Sequence, residues 1–105
     1  MQFRIVLSPA AVESLDRLRA YDRTAVLSAL EIHLTHEPQK ESKSRIKRLR
    51  GLRKPQYRLR VGQWRVYYDV TEDEVLVLDI VHKPATYQFL KEKGIPDETR
   101  SPGGN

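Results

Sequence analysis

Tyr57–Val70, YRLRVGQWRVYYDV, alternates arginine with apolar residues, breaks at Gly62-Gln63 and alternates again. Side chains of a strand point to opposite faces in turn. The pattern therefore predicts strands over about 56–61 and 64–70, joined by the two-residue turn Gly62-Gln63. Tyr57, Leu59 and Val61 then share one face with Trp64, Val66, Tyr68 and Val70. Arg58, Arg60 and Arg65 share the other, with Tyr67 beside them. Burying the apolar face leaves a row of guanidinium groups on the opposite side. Guanidinium forks stay charged and hold phosphate oxygens through paired N–H donors.

The charge around the hairpin is focused. The chain has 105 residues and a net charge of +5. Residues 40–65 alone hold eleven Lys/Arg and the single acid Glu41, for +10, while the remainder carries −5. An acidic body with one basic stripe points to a polyanion, most often nucleic acid. Within the stripe Lys43, Arg45, Lys47, Arg48, Arg50, Arg53 and Lys54 are candidate RNA-backbone contacts. Alternating arginine is also an ordinary solvated face of an antiparallel sheet. Three features favour the polyanion: the basic stretch before the hairpin, the flanking aromatics, and the scarcity of carboxylates, with Asp69 alone inside the two strands.

Upstream, QFRIVL at 2–7 reads as a strand. Ser8-Pro9 reads as an N-cap and first helical residue, opening a helix of roughly 9–19 on Val12, Leu15 and Leu18. Asp22 can cap a second helix, whose apolar stripe is Val26, Leu27, Leu30 and Leu34, with Pro38 beyond its end. The two should form an antiparallel hairpin. Residues 38–55 read as a basic loop with at most a turn of helix at Lys43–Arg50. A third strand of the hairpin region, 74–81, follows a turn at Thr71–Asp73, and Pro84–Lys93 reads as helix stopped by Gly94. The order is β-α-α-β-β-β-α: an α+β fold with a four-stranded, mostly antiparallel sheet. A helical hairpin covers one face, a short C-terminal helix follows, and the other face is partly open. One domain is expected over 1–94, with a flexible tail over 95–105.

The chain lacks cysteine, and no apolar run is long enough to span a membrane. MQFRIVLSP is too short and too early charged for a signal peptide, so a cytoplasmic location is expected. No metal or cofactor is expected: His33 and His36 lie at helical spacing without a third ligand.

Leu49-Arg50-Gly51, then Tyr57–Gly62, Trp64–Tyr68 and the apolar run Val75–His82, resemble the RelE/ParE superfamily of toxins over roughly residues 2–90. The resemblance implies a type II toxin that needs no metal. A RelE-like member is an endoribonuclease that cuts mRNA in the ribosomal A site by attack of a ribose 2′-OH on the adjacent phosphate. It also implies a cognate antitoxin as partner, besides ribosome and mRNA. Arg58 and Arg60 match cationic catalytic positions that are lysine in some members, and Arg65 matches the arginine tied to phosphate. Lys83 lies where members often carry arginine, and Tyr87 where several carry a stacking or proton-transferring tyrosine. Arginine does not readily lose a proton, so Arg58 and Arg60 are poor bases and His82 becomes the candidate base. Alternation through Leu76, Leu78 and Ile80 places His82 on the apolar face, so it reaches Arg65 only through a bend or bulge. The ParE-like branch, which has the same fold and inhibits DNA gyrase by binding, is the alternative implied function. A non-catalytic RNA-binding relative is another.

Overall fold

The computed structural model describes residues 1–97. The chain runs β1 (Arg4–Leu7), α1 (Pro9–Arg17), α2 (Ala20–Leu34), β2 (Ile46–Arg48), β3 (Leu52–Lys54), β4 (Tyr57–Val61), β5 (Trp64–Val70) and β6 (Glu74–His82). A 3₁₀ turn at Lys83–Ala85 leads into α3 (Thr86–Lys93), and β7 (Ile95–Pro96) follows. The α+β architecture agrees with the sequence reading. The sheet has five strands instead of four, in the order β1-β6-β5-β4-β2. Only β1 pairs in parallel, with β6.

Local chemistry sets the helix ends. Ser8 accepts from the Ala11 N–H (3.0 Å) and donates its hydroxyl to the Leu78 carbonyl (2.7 Å), so the cap also fastens α1 to β6. Arg23 closes the other end of α1, donating to the carbonyls of Leu15 (3.0 Å) and Leu18 (2.7 Å). The second helix begins at Ala20, before the cap expected at Asp22; Asp22 sits in its first turn, where a carboxylate favours the helix dipole. The α2 helix returns to the start of β1, where the Phe3 N–H donates to the Thr35 carbonyl (2.7 Å).

The core lies between these helices and one sheet face. It joins Ala11, Leu15, Leu18, Val26, Leu30 and Leu34 to Ile46, Tyr57, Leu59, Val66, Tyr68, Val75, Val77 and Ile80. Gly62 takes φ +57° at the first turn position of β4–β5, with no positive φ at Gln63, as a glycine-first hairpin turn requires.

Three expectations change. Residues 43–50 form no helical turn; Ile46–Arg48 is a strand on the outer side of β4, because buried Ile46 pairs with Leu59. The second sheet face is partly open as expected at Arg60, but α3 covers its Tyr67 end. Phe89 of α3 stacks on Tyr67 with centroids 5.0 Å apart, and Tyr67 is 2% exposed; Arg65 and Asp69 on the same strand are each 8% exposed. Order also passes Gly94, since Ile95–Pro96 pairs with Leu52–Lys54; residues 98–105 of the expected tail lie outside the described residues. Among the described residues no helix is long and apolar enough to cross a membrane.

Tyr67 and Tyr68 tie stability to alkaline pH. Burial raises the hydroxyl pKa of both above the usual value. The unfolded chain then ionises first, so their contribution is complete below about pH 10 and is lost above it. The unfolding midpoint should fall as pH rises past about 10; a flat profile there would contradict this burial.

Candidate functional site

Pairing between strands builds the site in rows. Arg58 stands opposite Tyr67, and Arg60 opposite Arg65, across the β4–β5 ladder. On the outer side Lys47 pairs with Arg58, and the Arg60 N–H donates to the Arg45 carbonyl (2.9 Å). One row therefore runs Lys47, Arg58, Tyr67, Asp79, and the next runs Arg60, Arg65, Val81. Like charges set directly opposite are unfavourable in a sheet. None of the ion pairs among the described residues involves Arg58, Arg60 or Arg65.

The three guanidinium groups differ. Arg65 is held: its Nη1 donates to the carbonyls of Gly62 (2.8 Å) and Trp64 (3.0 Å), fixing it across the hairpin turn. Burial lowers its pKa, and the charges of Arg58 and Arg60 add to that. It remains a cation at neutral pH. Arg58 has a buried Nε without a hydrogen-bond partner, and its Nη2 reaches only the Ser44 carbonyl at 3.4 Å. Arg60 is exposed and borders a depression of about 250 Å³ with Ser44, Arg45 and Gly62. A buried unpaired guanidinium N–H beside two more cations lacks an anion.

Tyr67 completes this cluster, and its place was readable from its parity with Arg65 on β5. Burial raises its pKa, opposed by Arg58, a Thr86 hydrogen bond and Arg65. At neutral pH its hydroxyl is therefore a donor and not a base. Thr86 had no signal in the sequence, because its position depends on where α3 lands.

The other candidates are scattered. His82 faces the helix side of the sheet, opposite Trp64, with ring centroids 4.9 Å apart. That is the face expected from its alternation with Ile80; a bulge in β6 lies before both residues, where Tyr67 pairs with Asp79 but Tyr68 with Val77, leaving Leu78 as the extra residue. Val75 and Val77 thus occupy the core face before the bulge, and Ile80 and His82 after it. The bulge overturns a different expectation: Leu76 and Leu78, expected on the core face with Ile80, give way there to Val75 and Val77. Lys83 is exposed in the 3₁₀ turn. Tyr87 lies on α3 beside Thr86 but is 76% exposed.

The basic run divides similarly. Lys47 joins the arginine face, and Arg45 borders it while also helping burial to lower the His33 pKa. Arg48 turns to the other face, lying 5.3 Å from the Tyr57 ring centroid and donating to the Gln56 carbonyl (2.8 Å). Lys54 pairs with Asp69 (3.3 Å), whose second oxygen accepts from the Gln56 N–H (2.8 Å). These two cations serve the fold. Lys43, Arg50 and Arg53 are exposed.

A cluster of this kind can hold a phosphate diester and stabilise added negative charge on it. A family model described as the ParE toxin of a type II toxin–antitoxin system, parDE, matches residues 5–86. Among solved structures the chain is similar to the toxin–antitoxin complex RelBE2 from Mycobacterium tuberculosis, at 21% identity and TM-score 0.61, covering 78% of this chain and 99% of that one. It is similar to the RelB–RelE antitoxin–toxin complex from Methanococcus jannaschii at 20% identity and TM-score 0.63, covering 80% and 96%. The RelE–RelB complex from Pyrococcus horikoshii OT3 matches at 20% identity and TM-score 0.52, covering 79% and 97%. No curated protein matches in sequence. At these identities the structural likenesses speak for the fold.

Proposed function

The chain belongs to the ParE toxin family of type II toxin–antitoxin systems, within the RelE/ParE superfamily, and on that premise we propose that it is a metal-independent, ribosome-dependent endoribonuclease of the cytoplasm. The observation that carries this reading is the arginine cluster: Arg58, Arg60 and Arg65 on one face, without carboxylate partners, with a buried Arg58 Nε unpaired. In the reaction the 2′-oxygen forms a bond to phosphorus as the bond to the 5′-oxygen breaks. The product ends are a 2′,3′-cyclic phosphate and a 5′-OH. The 2′-OH proton passes to water, because His82 lies on the other face and the carboxylates of Asp69 and Asp79 are engaged by Lys54, Gln56, Ser14 and the Ile80 N–H, and the leaving oxygen takes up a proton. The protein's share is electrostatic: preset cations meet the charge that grows on the phosphorane. A neutral Tyr67 adds a donor under the cluster. The partner that restrains this toxin would be an acidic antitoxin, complementary to the stripe.

The test is translation of a defined mRNA on purified ribosomes, with 5′ ends mapped after adding the protein. Cleavage within the A-site codon is expected. Arg60→Ala removes an exposed cation at little cost to folding and should slow cleavage by about 10-fold or more. No cleavage with the wild-type protein would end this reading. A second reading is gyrase inhibition, favoured by the ParE family model and by the placement of His82 on the face opposite the arginines. Blocked DNA supercoiling without mRNA cleavage would select it.

A further inference from the structure

Across the hairpin turn from the arginines lies a separate cleft of about 680 Å³. It opens between the α1–α2 junction and the end of the sheet, and its lining includes Arg17, Arg19, Tyr21, Gln63, Trp64 and His82. Cross-strand pairing sets His82 against Trp64 on this side. Tyr21 is 84% exposed at its rim, an unusual position for an aromatic ring that only fills a core. Arg17 pairs with Glu13 at 3.1 Å on an exposed surface, and Asp22 is the acid in the lining. Arg19 enters none of the ion pairs among the described residues.

We propose that this cleft binds a nucleotide of single-stranded RNA flanking the scissile phosphate, its base stacked on the Trp64–His82 pair and Tyr21, its phosphate met by Arg19. The proposal rests on the ribonuclease reading and extends the RNA path beyond the arginine face. Continuity is the argument for the occupant. Gly62 borders both the Arg60 depression and the cleft, and the space beside its Cα is open within 4 Å. A backbone held at Arg60 can cross the turn there unobstructed. Aromatic faces with interleaved cations suit single-stranded nucleic acid, which stacks without regard to sequence. A docked protein helix would need a continuous apolar lining, which arginine, glutamine and histidine interrupt here.

Trp64 is the sole tryptophan, so its fluorescence reports on the cleft. The probe is a short unstructured 2′-O-methyl RNA, which the protein cannot cleave, followed by both tryptophan quenching and anisotropy of a dye on the RNA. Saturable quenching parallel to anisotropy is expected. Tyr21→Ala and Arg19→Glu, both on exposed side chains, should each weaken binding about 5- to 10-fold. Anisotropy without quenching, or unchanged affinity in both variants, would overturn the proposal while A-site cleavage by the wild-type protein leaves the ribonuclease reading standing. Variants that keep RNA affinity but lose a co-purifying antitoxin would assign the cleft to a protein and also overturn it.

Discussion

Arg65→Ala is expected to lower the rate of ribosome-dependent mRNA cleavage by about 10²–10³-fold, the range for losing one preset donor to developing charge. The reason lies in how Arg65 is fixed. Two carbonyls of the hairpin turn hold its Nη1, so the guanidinium is oriented before any phosphate arrives. Burial and the neighbouring Arg58 and Arg60 charges make its cationic form costly, and an anion relieves that cost. Arg65→Lys keeps a charge but loses the planar fork, so its activity should fall between wild type and alanine. Because Arg65 also ties the turn, chemical unfolding must accompany the assay. Full cleavage by a folded Arg65→Ala protein would remove Arg65 from the reaction.

The largest effect on stability is expected at Tyr68. Its ring is fully buried and stacks on Tyr57 with centroids 5.5 Å apart, while its hydroxyl donates to the Pro38 carbonyl at 2.6 Å. That bond fastens the chain leaving α2 to the centre of the sheet. Tyr68→Ala should cost about 3–5 kcal/mol for the emptied volume alone. Tyr68→Phe keeps the ring and leaves the Pro38 carbonyl unpaired, costing about 1–3 kcal/mol. A domain of this size has only about 5–15 kcal/mol in total, so the alanine protein should be partly unfolded at ambient temperature. Urea denaturation measures both values. A phenylalanine variant as stable as wild type would show that the Pro38 carbonyl finds another donor.

Much of the fold was legible because period and punctuation agree locally. Ser8-Pro9 marked the first helix, Gly62-Gln63 marked the hairpin, and strict alternation divided Leu59 from Arg58 and Val66 from Arg65. The short strands β2, β3 and β7 were not legible. Three residues or fewer show no period, and each is a strand only because a partner strand supplies its hydrogen bonds. Covering of the arginine face was hidden for a similar reason. Phe89 lies on a short helix whose resting place depends on the whole chain.

By itself the sequence determined that one face of a hairpin carries Arg58, Arg60 and Arg65, since side-chain direction follows directly from strand parity. It also determined that these cations cannot all be neutralised nearby, because the stripe contains so few acids. Tertiary structure alone decided which charges serve that face. Pairing across the sheet brought Lys47 to it and sent Arg48 to Tyr57, while packing gave Lys54 to Asp69. One bulged residue, Leu78, put Val75 and Val77 in the core where alternation from Ile80 had Leu76 and Leu78, while the helices packed beside Trp64 made His82 a wall of a second cleft. A bulge is set by how two strands twist against each other and what packs on both sides, which no local pattern in β6 encodes.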